Sequence, residues 1–185
     1  MDQPTGAPPI QKVVISADQI QKRVRDMARQ ISRDYAGRSL SAVGILEDSF
    51  VFMSDLVRQI EVPVTCQFVK PEIRELKQGE LVTREIMFSP EVDVQGRDVL
   101  LIETLLVTGI TAEFLVRTIA SRGAASVKTA ALLDRQTARR VPLQPDYFGF
   151  LVDDTFIFGY GLGAPELGRN LPYLATNVAK SARIS

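Results

Sequence analysis

Apolar positions along the chain fall into runs that switch between two periods. Ile20, Val24, Met27, Ile31 and Tyr35 recur every three or four residues, which puts them on one face of a helix. Ser16 and Gln19 precede most of that run as an S-x-x-Q capping box, and Gly37 follows it as a stop. "LSAVGIL" (40–46) is a compact apolar run of strand length and predicts a buried strand. "SFVFMSDLVRQI" (49–60) predicts a helix with Phe50, Met53, Leu56, Val57 and Ile60 inward. "VPVTCQFV" (62–69) predicts a second strand, with Cys66 as a core residue.

Residues 70–97 are more polar, and Lys70-Pro71 breaks the preceding strand. "ELVTREIMF" reads as part of an outlying hairpin. "DVLLIE" (98–103) is nearly all apolar, as a central parallel strand buried on both faces requires. A helix over about 111–122 follows, with Gly123 as its stop, and then "SVKTAALL" (126–133) as the next strand. "YFGFLV" (147–152) and "TFIFGYG" (155–161) read as shorter β segments. Strand, helix and strand alternate, which argues for a doubly wound α/β sheet. Ligands of such sheets bind outside the carboxyl ends of the strands, here near Glu47, Glu103 and Asp134.

Composition narrows the chemistry. The 185 residues suit one domain, with residues 1–11 as a mobile tail rich in Pro and Gly and 12–185 as the folded unit. Lys+Arg and Asp+Glu both number 22, so bulk charge argues for neither a nucleic acid nor an anionic membrane as partner. A single cysteine excludes an intrachain disulfide. The absence of histidine removes the commonest general base and most zinc sites. No apolar run reaches the roughly 18 residues of a membrane span. The first residues lack the basic-then-apolar order of a signal peptide, so a cytoplasmic location is the default expectation.

The candidate chemistry starts at "ETLLVTGIT" (103–111), a strand that ends in Thr-Gly and opens a helix. Such a junction can cradle a phosphate on main-chain N–H groups at the positive end of the helix dipole. Taken alone it equally suits a plain cap, and Phe156 alone suits a core aromatic. Glu47 and Asp48 alone suit a solvated loop or the start of a helix, with a cation site as the other reading. Arg139 and Arg140 in "LLDRQTARRV" read as solvated, in a loop that also suits an acidic partner. Glu103 differs, because a carboxylate on a buried strand needs a partner.

From about residue 12 to 174 the chain resembles a bacterial hypoxanthine-guanine phosphoribosyltransferase. "PDYFGFLVDDTFIFGYGLGAPELGRNLPYLA" (145–175) carries the most specific likeness, supported by "IQKRVRDMARQISRDYAG" and "FVFMSDLVR". The resemblance implies a type I phosphoribosyltransferase fold, a central mostly parallel sheet flanked by helices. A small hood would come from the N-terminal segment and about residues 145–185. It also implies that a free purine and phosphoribosyl pyrophosphate react, with magnesium, to give a nucleotide and pyrophosphate.

Several positions depart from the family pattern. The family signature reads Glu-Asp-Ile-Ile-Asp-Thr-Gly-x-Thr; here those positions are Glu103, Thr104, Leu105, Leu106, Val107, Thr108, Gly109, Ile110 and Thr111. The resemblance assigns Val107 the place of the residue that assists proton transfer at the purine N7, which valine cannot do. The pyrophosphate loop, usually Leu-Lys-Gly-Gly or Leu-Lys-Gly-Ser, is Leu46-Glu47-Asp48-Ser49. Two like charges about 4 Å apart near a surface repel by roughly 4 kcal/mol, so this loop disfavours a pyrophosphate unless a metal intervenes. The lid region is "VKPEIREL", shorter than the family's and without its Ser-Tyr pair, and the metal-binding Asp after "GYGL" is Gly163.

Other matching positions are kept. The resemblance gives the 5′-phosphate to Thr108–Thr111, a ribose hydroxyl to Glu103 and purine stacking to Phe156. It gives the base edge to the backbone at Ile157 and the 6-oxo group to Arg135, in place of a family Lys. Asp153 and Asp154 fall in the matching "IPD" segment, and Arg169 matches an Arg that faces pyrophosphate. The expectation is a catalytically impaired relative that binds IMP or GMP and serves as a sensor or assembly subunit. Phosphoribosyl pyrophosphate is disfavoured, and Mg²⁺ is needed only if transfer occurs. A homo-oligomer is expected, with an active paralogue as an alternative partner. The competing readings are a working purine phosphoribosyltransferase with rearranged ligands and a scaffold without a small ligand.

Overall fold

The computed structural model describes residues 11–78, 81–87, 92–153, 156–163 and 168–177. Most of the tail expected over 1–11 and one site candidate, Asp154, lie outside the described residues. Five strands form the central sheet: β2 (Leu40–Ile45), β3 (Val64–Val69), β6 (Asp98–Leu106), β7 (Ser126–Asp134) and β8 (Tyr147–Leu151). Their order is β3-β2-β6-β7-β8, and every neighbouring pair is parallel. All five carboxyl ends therefore open on one edge.

Helices α1 (Ala17–Asp34) and α2 (Phe50–Val57) cover one face and α3 (Ile110–Ser121) the other. β6 divides its side chains by the strand period of two. Leu100 and Ile102 join the core beneath α1 and α2, whereas Val99 and Leu101 join Leu115 and Ile119 of α3. The capping box forms as read: Ser16 N–H donates to Gln19 Oε1 at 2.8 Å, and Gln19 N–H donates to Ser16 Oγ at 3.3 Å. Strands β4 (Glu72–Gln78) and β5 (Leu81–Met87) make the separate antiparallel pair.

Four sequence expectations change. Cys66 is exposed, because β3 is an edge strand where pairing with β2 covers only one flank. Phe50 is 60% exposed at the start of α2, and Phe52 takes the buried place instead. "YFGFLV" supplies β8 at the opposite edge of the main sheet rather than part of a hood. The described part of 155–161 forms isolated bridges rather than a strand, Phe158 with Ala175 and Gly159 with Leu162. β1 (Gln11–Ile15) pairs antiparallel with β9 (Leu174–Asn177), so the chain's two ends meet in a small separate sheet.

Candidate active site

β6 runs three residues beyond Glu103, so that carboxylate sits inside the strand and the turn begins at Val107. Gly109 caps α3 with φ 77°, a left-handed conformation that glycine adopts without steric cost. A Cβ there would lie 2.9 Å from Val141 Cγ2 and 3.1 Å from Arg139 Cδ. The turn is thus pressed against the segment that follows β7. Arg139 Nη1 donates to the Val107 carbonyl at 3.2 Å, and Arg140 N–H donates to the Thr108 carbonyl at 2.9 Å.

Arg139 is not the solvated side chain expected from its sequence. It is 14% exposed and forms an ion pair with Asp134, which is 1% exposed at the end of β7. Gln136 Nε2 donates to the other oxygen of that carboxylate at 3.1 Å. These contacts fix the Val107–Thr111 turn from its carbonyl side. At the start of α3 the Ile110 N–H donates to the Thr108 hydroxyl at 3.4 Å. Glu103 belongs to the same electrostatic cluster. Burial pushes its carboxyl up to about 8, against a pull from Arg139 and with an added push from Asp134. At neutral pH the group is therefore largely protonated and can donate a hydrogen bond as well as accept one.

The loop after β2 is held differently. Lys70 pairs with Glu47 at 2.9 Å and keeps that carboxyl below the usual carboxylate range. Arg169 Nη1 donates to Asp48 Oδ1 at 2.7 Å and to the Gly161 carbonyl at 2.8 Å. Thr104, buried on β6, donates its hydroxyl to the Asp48 carbonyl at 2.7 Å. Ser49 is buried behind these groups, and the Leu46–Glu47 peptide bond is cis. Arg169 thus faces a carboxylate of its own chain.

The C-terminal segment packs against α2 and the loop after β2. Phe158 is fully buried and paired with Ala175, and Ile157 is 8% exposed. Phe156 is 48% exposed, with its ring centroid 6.3 Å from that of Phe158. An open aromatic face is therefore carried on a buried anchor. Tyr160 holds the segment to α2 by donating to Asp55 Oδ2 at 2.6 Å. Arg135 leaves β7 partly buried, its N–H donating to the Leu106 carbonyl at 2.9 Å, and Asp153 is exposed.

The residues present do not fit a catalytic magnesium ion. Gly163 offers no side-chain ligand, and Thr104 spends its hydroxyl on the Asp48 carbonyl. Lys70 and Arg169 compensate the carboxylates of Glu47 and Asp48. Among the described residues there is no group of three or more His, Cys, Asp or Glu that could hold a metal. No helix among the described residues is long and apolar enough to cross a membrane.

Sequence reasoning missed Asp134 with Arg139 as the support of the turn, and Thr104 as the tie between β6 and the loop after β2. An acidic residue closing an apolar strand, with an arginine five positions later, was the available signal.

Residues 16–165 match the family model described as the phosphoribosyl transferase domain. The hypoxanthine-guanine phosphoribosyltransferase of Bacillus subtilis (strain 168) is 34% identical over 167 residues, covering 89% of this chain and 92% of that protein. The bifunctional protein TilS/HprT of Listeria innocua is 38% identical over 167 residues, covering 89% of this chain. The chain spans only 26% of that longer relative. Among solved structures, a hypoxanthine phosphoribosyltransferase from Staphylococcus aureus superposes with a TM-score of 0.82 at 31% identity, covering 94% of each chain. A hypoxanthine-guanine phosphoribosyltransferase from Bacillus anthracis gives 0.78 at 33% identity, covering 91% of this chain and 97% of that one.

Proposed function

The chain belongs to the hypoxanthine-guanine phosphoribosyltransferase family, and on that premise we propose that it binds a purine nucleoside 5′-monophosphate, IMP or GMP, and transfers phosphoribose weakly or not at all. The observation that carries this reading is the contrast between the turn at 107–111 and the loop at 46–49. The turn keeps its glycine, its hydroxyls and its helix N-terminus, and buried Asp134 and Arg139 brace it. The loop has its cations already paired.

In the proposed complex the 5′-phosphate accepts from main-chain N–H groups of Gly109, Ile110 and Thr111 and from the hydroxyls of Thr108 and Thr111. Glu103 exchanges a hydrogen bond with a ribose hydroxyl. The base lies on Phe156 beside the backbone of Ile157, and Arg135 donates to its 6-oxo group. Forming the base–sugar bond would require a proton to leave the purine. Val107 has no group to assist, a loss typically worth about 10²–10⁴-fold in rate. This chemistry suits a nucleotide sensor or a subunit of an assembly, with itself or with an active paralogue.

A second reading, a purine-salvage transferase with ordinary turnover, draws support from the likeness to the Bacillus subtilis protein over 89% of this chain. A steady-state assay with hypoxanthine or guanine, phosphoribosyl pyrophosphate and saturating magnesium separates the two. The expected kcat/KM is at least about 10²-fold below that of the Bacillus subtilis relative; parity would establish the second reading. A scaffold without a small ligand predicts that millimolar IMP and GMP leave the melting temperature unmoved. The present reading predicts that they raise it.

A further inference from the structure

Away from the candidate site, α1 carries arginines that the fold leaves uncompensated. Arg25, Arg29 and Arg33 recur every four residues and are exposed. On a helix that spacing sets them in one row, about 6 Å apart along the axis. The carboxylates beside them in sequence are already engaged. Asp26 is shared between Lys22 and Arg29, and Asp34 accepts from Tyr147 at 2.6 Å and pairs with Lys128 at 3.5 Å. Among the described residues neither Arg25 nor Arg33 forms an ion pair. The row borders two open, adjoining hollows of about 510 and 490 Å³, which share Arg29 and Glu61. Arg58, its side chain 69% exposed, lines the second. Ala36 and Gly37 precede β2, and Glu61 and Val62 precede β3, so the groove lies at the amino edge of the parallel sheet, opposite the candidate site. Four arginines thus line a groove with one carboxylate, in a chain whose formal charge sums to zero.

We propose that this groove binds an extended acidic segment of a partner protein. Alternate residues of an extended strand lie about 6.6 Å apart, close to the arginine repeat. Acidic residues at every second position therefore meet Arg25, Arg29 and Arg33 in register. A single-stranded nucleic acid fits less well. Among the described residues no aromatic side chain lines the groove to stack on bases. Glu61 also repels a strand charged at every step, whereas a peptide can set a neutral or basic residue against it. The claim stands apart from the nucleotide reading, because no residue of the groove belongs to the candidate site.

The test measures fluorescence anisotropy of a labelled peptide of alternating Glu and Thr, titrated with the full chain at low ionic strength, where exposed charges are least screened. Saturable binding is expected, and the same peptide with Gln in place of Glu should not bind. Arg25→Gln/Arg33→Gln should keep the unsubstituted melting temperature, since neither side chain is buried or paired, and should bind the acidic peptide about tenfold more weakly. Arg117→Gln/Arg122→Gln removes the same charge from α3, on the other face of the sheet, and should change the affinity less than about twofold. An oligothymidylate of equal charge should bind more weakly than the peptide. No saturation by the acidic peptide below about 1 mM would overturn the proposal. So would equal losses in the two double variants, which would mean that bulk charge holds the probe. Oligothymidylate binding as tight as the peptide's would overturn it in favour of a nucleic acid.

Discussion

The turn after β6 and the loop after β2 lie at the same edge of the sheet, and each is held by an arginine–aspartate pair. The resemblance ends there. At Asp134–Arg139 the two side chains are 1% and 14% exposed, and the guanidinium also binds a carbonyl of the turn. That pair holds the turn through the Val107 carbonyl. At Asp48–Arg169 the two side chains are 53% and 31% exposed, and the guanidinium also binds the Gly161 carbonyl. The same chemistry is therefore a buried brace in one place and a solvent-exposed pair in the other. Burial, rather than residue type, decides which.

The sharpest way to break this comparison is to remove each arginine in turn. Arg139→Ala strands a buried carboxylate, and unfolding in urea should show a loss of about 3–5 kcal/mol. Arg169→Ala should cost no more than about 1 kcal/mol, since both partners reach solvent. Equal losses would mean that burial does not distinguish the pairs.

The second prediction concerns Glu103. Burial pushes its carboxyl up from an ordinary value of 4.5 to about 8. The folded state therefore holds a proton that the unfolded state releases throughout that window. Stability must fall as pH rises from 4.5 toward 8, on the order of 1 kcal/mol per pH unit, and level off above it. Glu103→Gln should remove most of that decline. Urea titrations of both chains at pH 6 and pH 9 check this: parallel changes in the two would show that Glu103 is not the group responsible. A smaller effect is expected at the turn itself. Gly109→Ala forces a left-handed residue against Val141 and Arg139 and should cost about 1–2 kcal/mol. IMP affinity should fall more than tenfold, because the N–H groups move. Unchanged affinity would dissociate the turn from the phosphate.

Much of the fold was legible because it depends on periodicity. The α1 stripe, its capping box and the apolar runs of β2, β6 and β7 each announce a local structure that burial then enforces. What was not legible depends on neighbours. Cys66 sits in a strand-like run, but only the sheet order makes β3 an edge. The place of "YFGFLV" beside β7 rather than in a hood follows from parallel pairing that short apolar runs do not encode. At the site, the turn was readable from its Thr-Gly frame. The partner of Arg169 was not, because an ion pair between residues 121 positions apart leaves no spacing signature. The pairings of Arg139 and Arg169 distinguish a buried brace from an exposed one.

The central claim is that the nucleotide half of the pocket works without the donor half. Calorimetric titration of the full chain with IMP, GMP and phosphoribosyl pyrophosphate, each with and without magnesium, tests it most directly. The account predicts that the monophosphates bind with an affinity the metal leaves unchanged, and that phosphoribosyl pyrophosphate binds at least tenfold more weakly under both conditions. Magnesium-dependent binding of phosphoribosyl pyrophosphate, as tight as that of IMP or tighter, would contradict it.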